Sequence, residues 1–458
     1  MRINKAVAYS ATTHEGGRAD AHQSSLIELE RTVSTCLLWE DTFYEKGNDV
    51  ATRIADLCTK VKPEEIAHLA VTARNEWKLR HIPLFLCVQL LKLKAGVIAG
   101  KTIELVVKRP DEMSELITLY RKDKRIPLAA QLKKGLARVY PTFNAHQLGK
   151  WNKDATIKLR DVMFMVHPKP KDAEQAAVWK QLVDGTLASP DTWEVALSAG
   201  QDKKATWERL LTEQKLGDMA LLMNLRNMQQ AGVNRQLIIH RLKTWSPQSV
   251  VLPFRFVSAA KAAPDFEDAL STAIASALSQ VPRLQGRTLF VIDVSGSMQA
   301  RMSEKSDTDR IDAACSLAMM IREICDDVAI YATGGNDRHC IHATTKIPPR
   351  HGFALRDAIQ MAKGKLGGGG IFCYQALQYI QQQEREPFDR VLILTDEVDC
   401  DTNPAKRLAN APLLGKQNYL FNVGSYRPGL ELGGTWKRIN GWSERVIDWI
   451  QIHERVNK

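Results

Sequence analysis

The chain has 458 residues, of which 44% are hydrophobic and 25% are charged, and its formal net charge is +11. This length fits two or three domains with a sizeable core. No stretch approaches the roughly 18 uninterrupted apolar residues of a membrane-spanning helix, so a membrane protein is not expected. The N-terminal sequence lacks the apolar core of a secretory signal, which predicts a cytoplasmic protein. Eight cysteines without a C-x-x-C pair indicate neither a zinc site nor a disulfide framework.

The positive charge is concentrated in one part of the chain. Residues 1–282 hold 40 Lys and Arg against 31 Asp and Glu, whereas residues 283–458 hold 23 against 21. Within the first part, residues 92–160 alone hold 16 basic and 6 acidic residues. Such a surplus favours a polyanionic partner, and the alternative is a solvated basic face without a ligand.

The first part has a helical pattern. Residues 1–20 have no clear period and are predicted to form an extended arm. A capping box at Ser25-Leu-Ile-Glu28 predicts the first helix start, and Pro63, Pro190 and Pro247 each predict another. No strand pattern interrupts residues 21–282, which predicts a ring or array of HEAT-like helical repeats, with an irregular all-α domain as the alternative.

The hydrophobic period changes after residue 282. Strand-like runs at 289–294, 328–332, 391–395 and 419–423 alternate with helical stretches such as 311–324 and 374–383. A last short strand at 435–442 and a closing helix at 443–456 follow. This alternation is typical of an α/β doubly wound sheet over residues 283–458.

Oxygen-bearing side chains follow two of these predicted strands. The first ends in a D-x-S-x-S motif, formed by Asp293, Ser295 and Ser297, and the second ends at Asp396. Ligands of open α/β sheets collect at the carboxyl ends of strands, and hard oxygen donors suit Mg²⁺ or a similar divalent cation. The alternative is an ordinary Ser/Gly turn without an ion.

This arrangement resembles the von Willebrand factor A domain and its metal-ion-dependent adhesion site. The resemblance implies that Ser295 and Ser297 contact the metal, with Asp293 and Asp396 behind them. The family also supplies a threonine from a Gly-Gly-Thr-x-Cys loop, where this chain has Gly369-Gly370-Ile371-Phe372-Cys373. An aliphatic Ile371 cannot coordinate an ion, so the expected binding is weak.

Four further segments, at 66–85, 159–170, 219–228 and 252–256, resemble the TROVE module of the Ro ribonucleoprotein family. That family places a TROVE ring before a von Willebrand A domain, which is the order found here. The Ile-Phe-Cys sequence after the glycine run suggests its bacterial or phage branch. The resemblance implies a protein without enzymatic activity that binds small noncoding RNA and the single-stranded 3′ ends of structured or misfolded RNA. A nuclease is a possible partner of the A-type domain.

Basic side chains interleaved with planar ones provide the candidate RNA contacts, because phosphates attract cations and unstacked bases attract flat rings. The candidates are Arg121, Lys122, Lys124, Arg125, Lys133, Lys134, Arg138, Lys150, Lys153, Arg160, His167 and Lys169. The alternative function is a protein-recruiting scaffold that grips an acidic partner through the metal. No ligand set or nucleophile arrangement in the sequence indicates a nuclease or another enzyme.

Overall fold

The computed structural model describes residues 25–35, 47–77, 79–122, 126–152, 155–247, 251, 253–302, 307–366, 368–423, 430, 432, 435–440, 447, 450, 451 and 454. Its packing divides the chain into two compact units. Unit A comprises residues 25–33 and 49–210, and unit B comprises residues 211–458 together with 1–24 and 34–48. The predicted arm at 1–20 lies outside the described residues. Among those that are described, no helix is both long enough and apolar enough to cross a bilayer.

The described residues of unit A form helices joined by loops, without a strand. Its helices are α1 Ser25–Thr35, α2 Gly47–Cys58, α3 Pro63–Asn75, α4 His81–Lys92, α5 Val97–Val106, α6 Pro110–Arg121, α7 Ala130–Val139, α8 Ala145–Trp151, α9 Leu159–Val166, α10 Ala173–Asp184, α11 Trp193–Ser198 and α12 Lys203–Thr212, which runs into unit B. Starts at Ser25 and Pro63 are confirmed. Near Pro190 the prediction is displaced, because Thr192 caps the helix with its side chain.

Helices α3 to α9 of unit A bury apolar faces on one another. Helix α3 packs on α4 and α5, α5 packs on α7, and α9 packs on α6 and α7. Short helices of this kind are stabilised mainly by such packing, since their intrinsic propensity is marginal. The predicted all-α character of this part of the chain is confirmed.

Unit B begins with helices and continues into a sheet. Its helices are α13 Asp218–Gln230, α14 Arg235–Lys243, α15 Pro253–Ala262, α16 Glu267–Leu278, α17 Arg310–Ile324, α18 Gly352–Leu366 and α19 Cys373–Gln383. At the start predicted at Pro247, that residue lies in a turn, residues 248–250 and 252 lie outside the described residues, and the next described helix, α15, begins at Pro253. Helix α15 packs on α17 and α16 packs on α18, so the last helices before the sheet share its core.

The strands are β1 Leu284–Asp293, β2 Cys325–Asn336, β3 Ile341–Lys346, β4 Phe388–Thr395, β5 Gly415–Asn422 and β6 Trp436–Asn440. They form one sheet in the order β3-β2-β1-β4-β5-β6. All pairs are parallel except β2 with β3, which is antiparallel. The α/β prediction is confirmed, while β3 and α18 were not foreseen. In the region of the predicted closing helix, the described residues Ile447, Ile450, Gln451 and Glu454 are helical.

The central strands are buried on both faces. In β1 every residue from Thr288 to Asp293 is buried, as expected for a parallel strand covered by helices on either side. Helix α17 covers the sheet and is itself almost wholly buried. Because the parallel strands β1 and β4 are neighbours, their carboxyl ends bring Asp293 and Asp396 to the same edge of the sheet.

Candidate RNA-binding surface and cation site

The predicted RNA contacts lie on four helices of unit A that pack on one another. Helix α6 contacts both α8 and α9, and α7 contacts α9. Arg121 and Lys122 lie at the end of α6; Lys133, Lys134 and Arg138 lie on α7; Lys150 lies on α8; Arg160 lies on α9; His167 and Lys169 follow it. Lys124, Arg125 and Lys153 lie outside the described residues. The fold thus gathers the described candidates on a single group of helices.

Helix α7 shows how this surface is built. Its buried residues, Leu132, Gly135, Leu136 and Val139, recur at helical spacing and face the neighbouring helices. Lys133, Lys134 and Arg138 therefore lie on the opposite, exposed side. Arg138 Nη1 donates a hydrogen bond to Glu104 Oε1 at 2.6 Å, so part of its charge is already matched within the protein.

Lys150 and Trp151 differ in what they offer a ligand. The guanidinium of Arg109 lies 3.5 Å from the centre of the Trp151 ring, which makes a cation–π contact. This stack occupies one face of the ring. Lys150 Nζ lies 3.7 Å from a carboxylate oxygen of Glu194 and 5.6 Å from the Trp151 ring centre. Both side chains are half-buried, so they contribute less free surface than those of α7.

Helix α9 is short and presents a mixed outer face. Leu159, Val162 and Val166 are buried against α6 and α7. His167 ends the helix with a left-handed backbone (φ 51°), and its N–H donates to the carbonyl of Met163 at 2.9 Å. Its side chain is exposed and free to reach outward. Sequence reasoning missed Phe164, which lies on the same helix and is 58% exposed.

The predicted cation site lies at the carboxyl edge of the sheet in unit B. Asp293 is fully buried and accepts two hydrogen bonds, from the Ser295 N–H at 2.8 Å and from the Thr395 hydroxyl at 2.6 Å. The hydroxyl oxygens of Ser295 and Ser297 are 3.2 Å apart. The two serines and Asp293 are therefore brought together as the D-x-S-x-S motif predicts. Burial and the nearby charge of Asp396 raise the pKa of Asp293 to about 7.

Asp396 is fully buried at the same edge. Arg310, the first residue of α17, donates from Nη1 to Asp396 Oδ2 at 2.5 Å and to the carbonyl of Ser297 at 3.3 Å. A positively charged guanidinium thus bridges the serine loop and Asp396, the residue that follows β4. Asp396 Oδ1 has no hydrogen-bond partner among the described residues.

Further acidic side chains are buried beside this pair. Glu397 is matched by Arg438, whose Nε lies 2.8 Å from Glu397 Oε1. Asp399 is also buried, and burial, with the charges of Asp401 and Asp293, raises its pKa to about 7. The edge therefore carries more buried carboxyl groups than buried guanidinium groups among its described residues.

The side chain of Ile371 does not face Ser295 and Ser297. Its side chain is fully buried in the apolar cluster that also contains Val291, Ile393 and Leu377. Its carbonyl accepts a hydrogen bond from the Cys400 N–H at 3.0 Å. The loop approaches the motif instead through its backbone, because a Cβ added at Gly296 would lie 2.9 Å from the carbonyl oxygen of Gly368.

The oxygen donors fit a hard divalent cation. Two neighbouring hydroxyls and one unpartnered carboxylate oxygen, Asp396 Oδ1, are the kind of ligand set that Mg²⁺ uses together with water. Two features reduce the expected affinity: an apolar side chain at position 371, and the guanidinium of Arg310, which already balances part of the charge of Asp396.

Comparison with known proteins identifies related chains. Residues 185–364 match the TROVE domain. Two curated relatives are the telomerase protein component 1 of Mus musculus, 39% identical over 80 residues, and that of Rattus norvegicus, 36% identical over 80 residues. Each match covers 16% of this chain and only 3% of the relative.

A solved structure extends the likeness to nearly the whole chain. The crystal structure of the Deinococcus radiodurans RO (RSR) protein superposes with a TM-score of 0.60 at 17% identity, covering 93% of this chain and 98% of that one. The resemblance drawn from the sequence is confirmed in both of its parts, the TROVE domain and the succession of a helical region and a mixed sheet.

Proposed function

We propose that this chain, which matches the TROVE domain over residues 185–364 and has the fold of a Ro protein, binds RNA as a ribonucleoprotein component without catalysing a reaction on it. The observation that carries this proposal is the group of helices α6 to α9, whose exposed cations include Lys133, Lys134 and Arg160. Cations on a folded surface neutralise phosphates and give affinity that does not depend on sequence.

We propose two classes of RNA as ligands: small noncoding RNAs and the single-stranded 3′ ends of structured or misfolded RNAs. Single strands suit a surface that combines exposed cations with exposed flat rings, because the backbone and the unstacked bases are then contacted together. This activity corresponds to RNA quality control, and we place it in the cytoplasm.

Binding of a labelled single-stranded RNA, measured at several salt concentrations, tests this proposal. The affinity should fall linearly with the logarithm of salt concentration, with a slope of about 0.7 for each phosphate contacted. Replacing Lys133 and Lys134 with glutamine should remove about two such contacts and flatten the slope by about 1.4.

A matched control uses a second lysine pair. Lys203 and Lys204 open helix α12 and are exposed, and they lie outside the basic stretch at 92–160. The double glutamine variant of this pair should change the salt slope much less than the variant of Lys133 and Lys134. Equal slopes for both variants and the unmodified protein would show that the basic stretch is only a solvated face.

A second candidate function uses the carboxyl edge of the sheet. Ser295, Ser297 and Asp396 would hold a weakly bound Mg²⁺, with Asp293 orienting the serine loop behind them. When bound, the ion supplies a positive charge that an acidic side chain of a protein partner, such as a nuclease, can contact. The observation that favours this candidate is the unpartnered, buried Asp396 Oδ1.

A chelator separates the two functions. RNA binding through α6 to α9 should be unaffected by EDTA and should weaken with salt. Partner capture through the sheet edge should be lost with EDTA and in a Ser295→Ala, Ser297→Ala variant. RNA binding that disappears with EDTA would contradict the assignment of RNA to the cations of unit A.

A further inference from the structure

Phe164 is an exposed aromatic side chain in a cationic setting. It is 58% exposed, although burying a phenylalanine is worth about 1.5–3 kcal/mol. Among the exposed large hydrophobic side chains of the described residues, Phe164 is the aromatic one. The ring is therefore accessible to a ligand.

The position of Phe164 follows from the period of α9. Leu159, Val162 and Val166 face inward, so Phe164 lies on the opposite side of the helix. Arg160 is four residues before it, and side chains at this spacing are neighbours on a helix surface. His167 follows three residues after it, at the left-handed position that ends the helix. Both neighbours are exposed.

The charge around the ring is suited to a nucleic acid. Arg160 and His167 flank Phe164, and Lys169 and Lys171 follow on the exposed segment after the helix. Asp161 is the acidic neighbour: its Oδ1 lies 3.9 Å from Arg160 Nε, and its Oδ2 accepts a hydrogen bond from the Lys158 N–H at 2.8 Å. The aspartate thus caps the helix, and its contact with Arg160 is too long to be a hydrogen bond.

We propose that Phe164 is a stacking platform for one unpaired base of a single-stranded RNA, with Arg160 and His167 contacting the phosphates on either side. This inference rests on the proposed RNA-binding function and assigns one base-contacting residue within it. An aromatic ring beside a guanidinium and an imidazole, both able to donate hydrogen bonds to phosphates, is suited to single strands without strong sequence preference, since every base has a π-face. Trp151 is less suited, because Arg109 already covers a face of its ring.

The test compares two strands of the same length, a fluorescein-labelled oligoadenylate of about twelve nucleotides and an abasic strand with the same phosphates. The unmodified protein should prefer the strand with bases. Phe164→Ala should reduce that preference by about 5- to 150-fold, while its salt slope stays unchanged because the phosphate contacts remain. Phe164→Trp should keep the preference.

Two controls separate stacking from charge and from general surface effects. Arg160→Gln should flatten the salt slope by about 0.7 and keep the preference for bases. Met223→Ala removes another exposed apolar side chain, 66% exposed on α13, and should change neither quantity. Melting temperatures of all variants should match the unmodified protein, because the replaced side chains are on the surface.

The outcomes distinguish this inference from the function it rests on. Retention of the base preference in Phe164→Ala, or equal binding of the two strands by the unmodified protein, overturns the stacking platform and leaves RNA binding in place. Failure of the unmodified protein to bind either strand overturns the RNA-binding function and the platform together.

Discussion

Removing the charge of Arg310 is the sharpest perturbation of the proposed cation site. Arg310 and Asp396 form an ion pair in which the side chains are 3% and 0% exposed. Arg310→Met keeps a long, flexible side chain and removes the charge. Asp396 would then be buried without its guanidinium partner, and the carbonyl of Ser297 would lose a hydrogen bond.

The cost of this substitution is large. Breaking a buried pair by removing one partner costs about 3–5 kcal/mol, because the remaining charge is left uncompensated. For a folding unit of this size, each kcal/mol corresponds to about 2–4 °C in melting temperature, so we expect a decrease of about 6–20 °C without metal. Adding Asp396→Asn to Arg310→Met should recover part of this loss, since no buried charge then remains at that position.

Magnesium should partly replace the missing charge. With Arg310 gone, the orphaned carboxylate and the two serine hydroxyls become a better site for a divalent cation. An ion present at ten times its dissociation constant stabilises the folded state by about 1.4 kcal/mol. Thermal unfolding with and without Mg²⁺ should therefore show a larger rise in melting temperature for Arg310→Met than for the unmodified protein.

A second buried ion pair provides the control. Arg438 and Glu397 are 4% and 0% exposed, and Glu397 directly follows Asp396 in sequence. Arg438→Met should also destabilise the protein, but it should gain no additional response to Mg²⁺. The reasoning is refuted if Arg310→Met is as stable as the unmodified protein, or if Mg²⁺ raises both melting temperatures equally.

Three further predictions concern the same unit. Ser295→Ala with Ser297→Ala should abolish any rise in melting temperature caused by Mg²⁺, as measured by calorimetry. Ile371→Thr should lower the melting temperature without ion, because the new hydroxyl enters an apolar cluster, and it should leave Mg²⁺ binding unchanged in a calorimetric titration, because that cluster lies away from the serine hydroxyls. Although burial opposes it, bonds from Lys346 and other donors lower the pKa of Glu384 from 4.5 to about 2. The stability that this carboxylate contributes is present above pH 4.5 and is lost as the pH falls toward 2. In Glu384→Gln, the free energy of unfolding should therefore decrease less steeply between pH 4.5 and pH 2 than in the unmodified protein.

The parallel strands were predictable because burial on both faces leaves a continuous apolar run in the sequence. Strand β3 lacks such a run: its residues, Ile341–Lys346, are exposed or half-buried, and it pairs on one side only. Helix α18 follows a proline-containing segment and carries Gly352 at its start, so its sequence resembles a loop. The structure of such edge elements depends on contacts with neighbouring elements, so the local hydrophobic pattern predicts them poorly.

The split into two units was not visible in the hydrophobic period. Helices α13 to α16 have the same local pattern as those of unit A, yet they belong to the same compact unit as the sheet, where α15 packs on α17 and α16 packs on α18. Lys261 Nζ on α15 lies 2.8 Å from Asp312 Oδ2 on α17. Arg356 Nη1 on α18 lies 2.8 Å from Glu267 Oε1 on α16. Contacts of this kind join residues far apart in sequence, and a local pattern carries no record of them.

Sequence reasoning missed two candidate functional residues, and only one of them could have been found from the sequence. Phe164 depends only on its own helix, because the inward positions Leu159, Val162 and Val166 place it outside, and a helical projection of residues 159–166 predicts its exposure. Arg310 depends on a partner 86 residues away, and its role appears only when α17 and β4 are brought together. We therefore expect cation binding at this sheet edge to depend on Arg310 as well as on the D-x-S-x-S motif, since a guanidinium beside the carboxylate competes with the ion for the same charge.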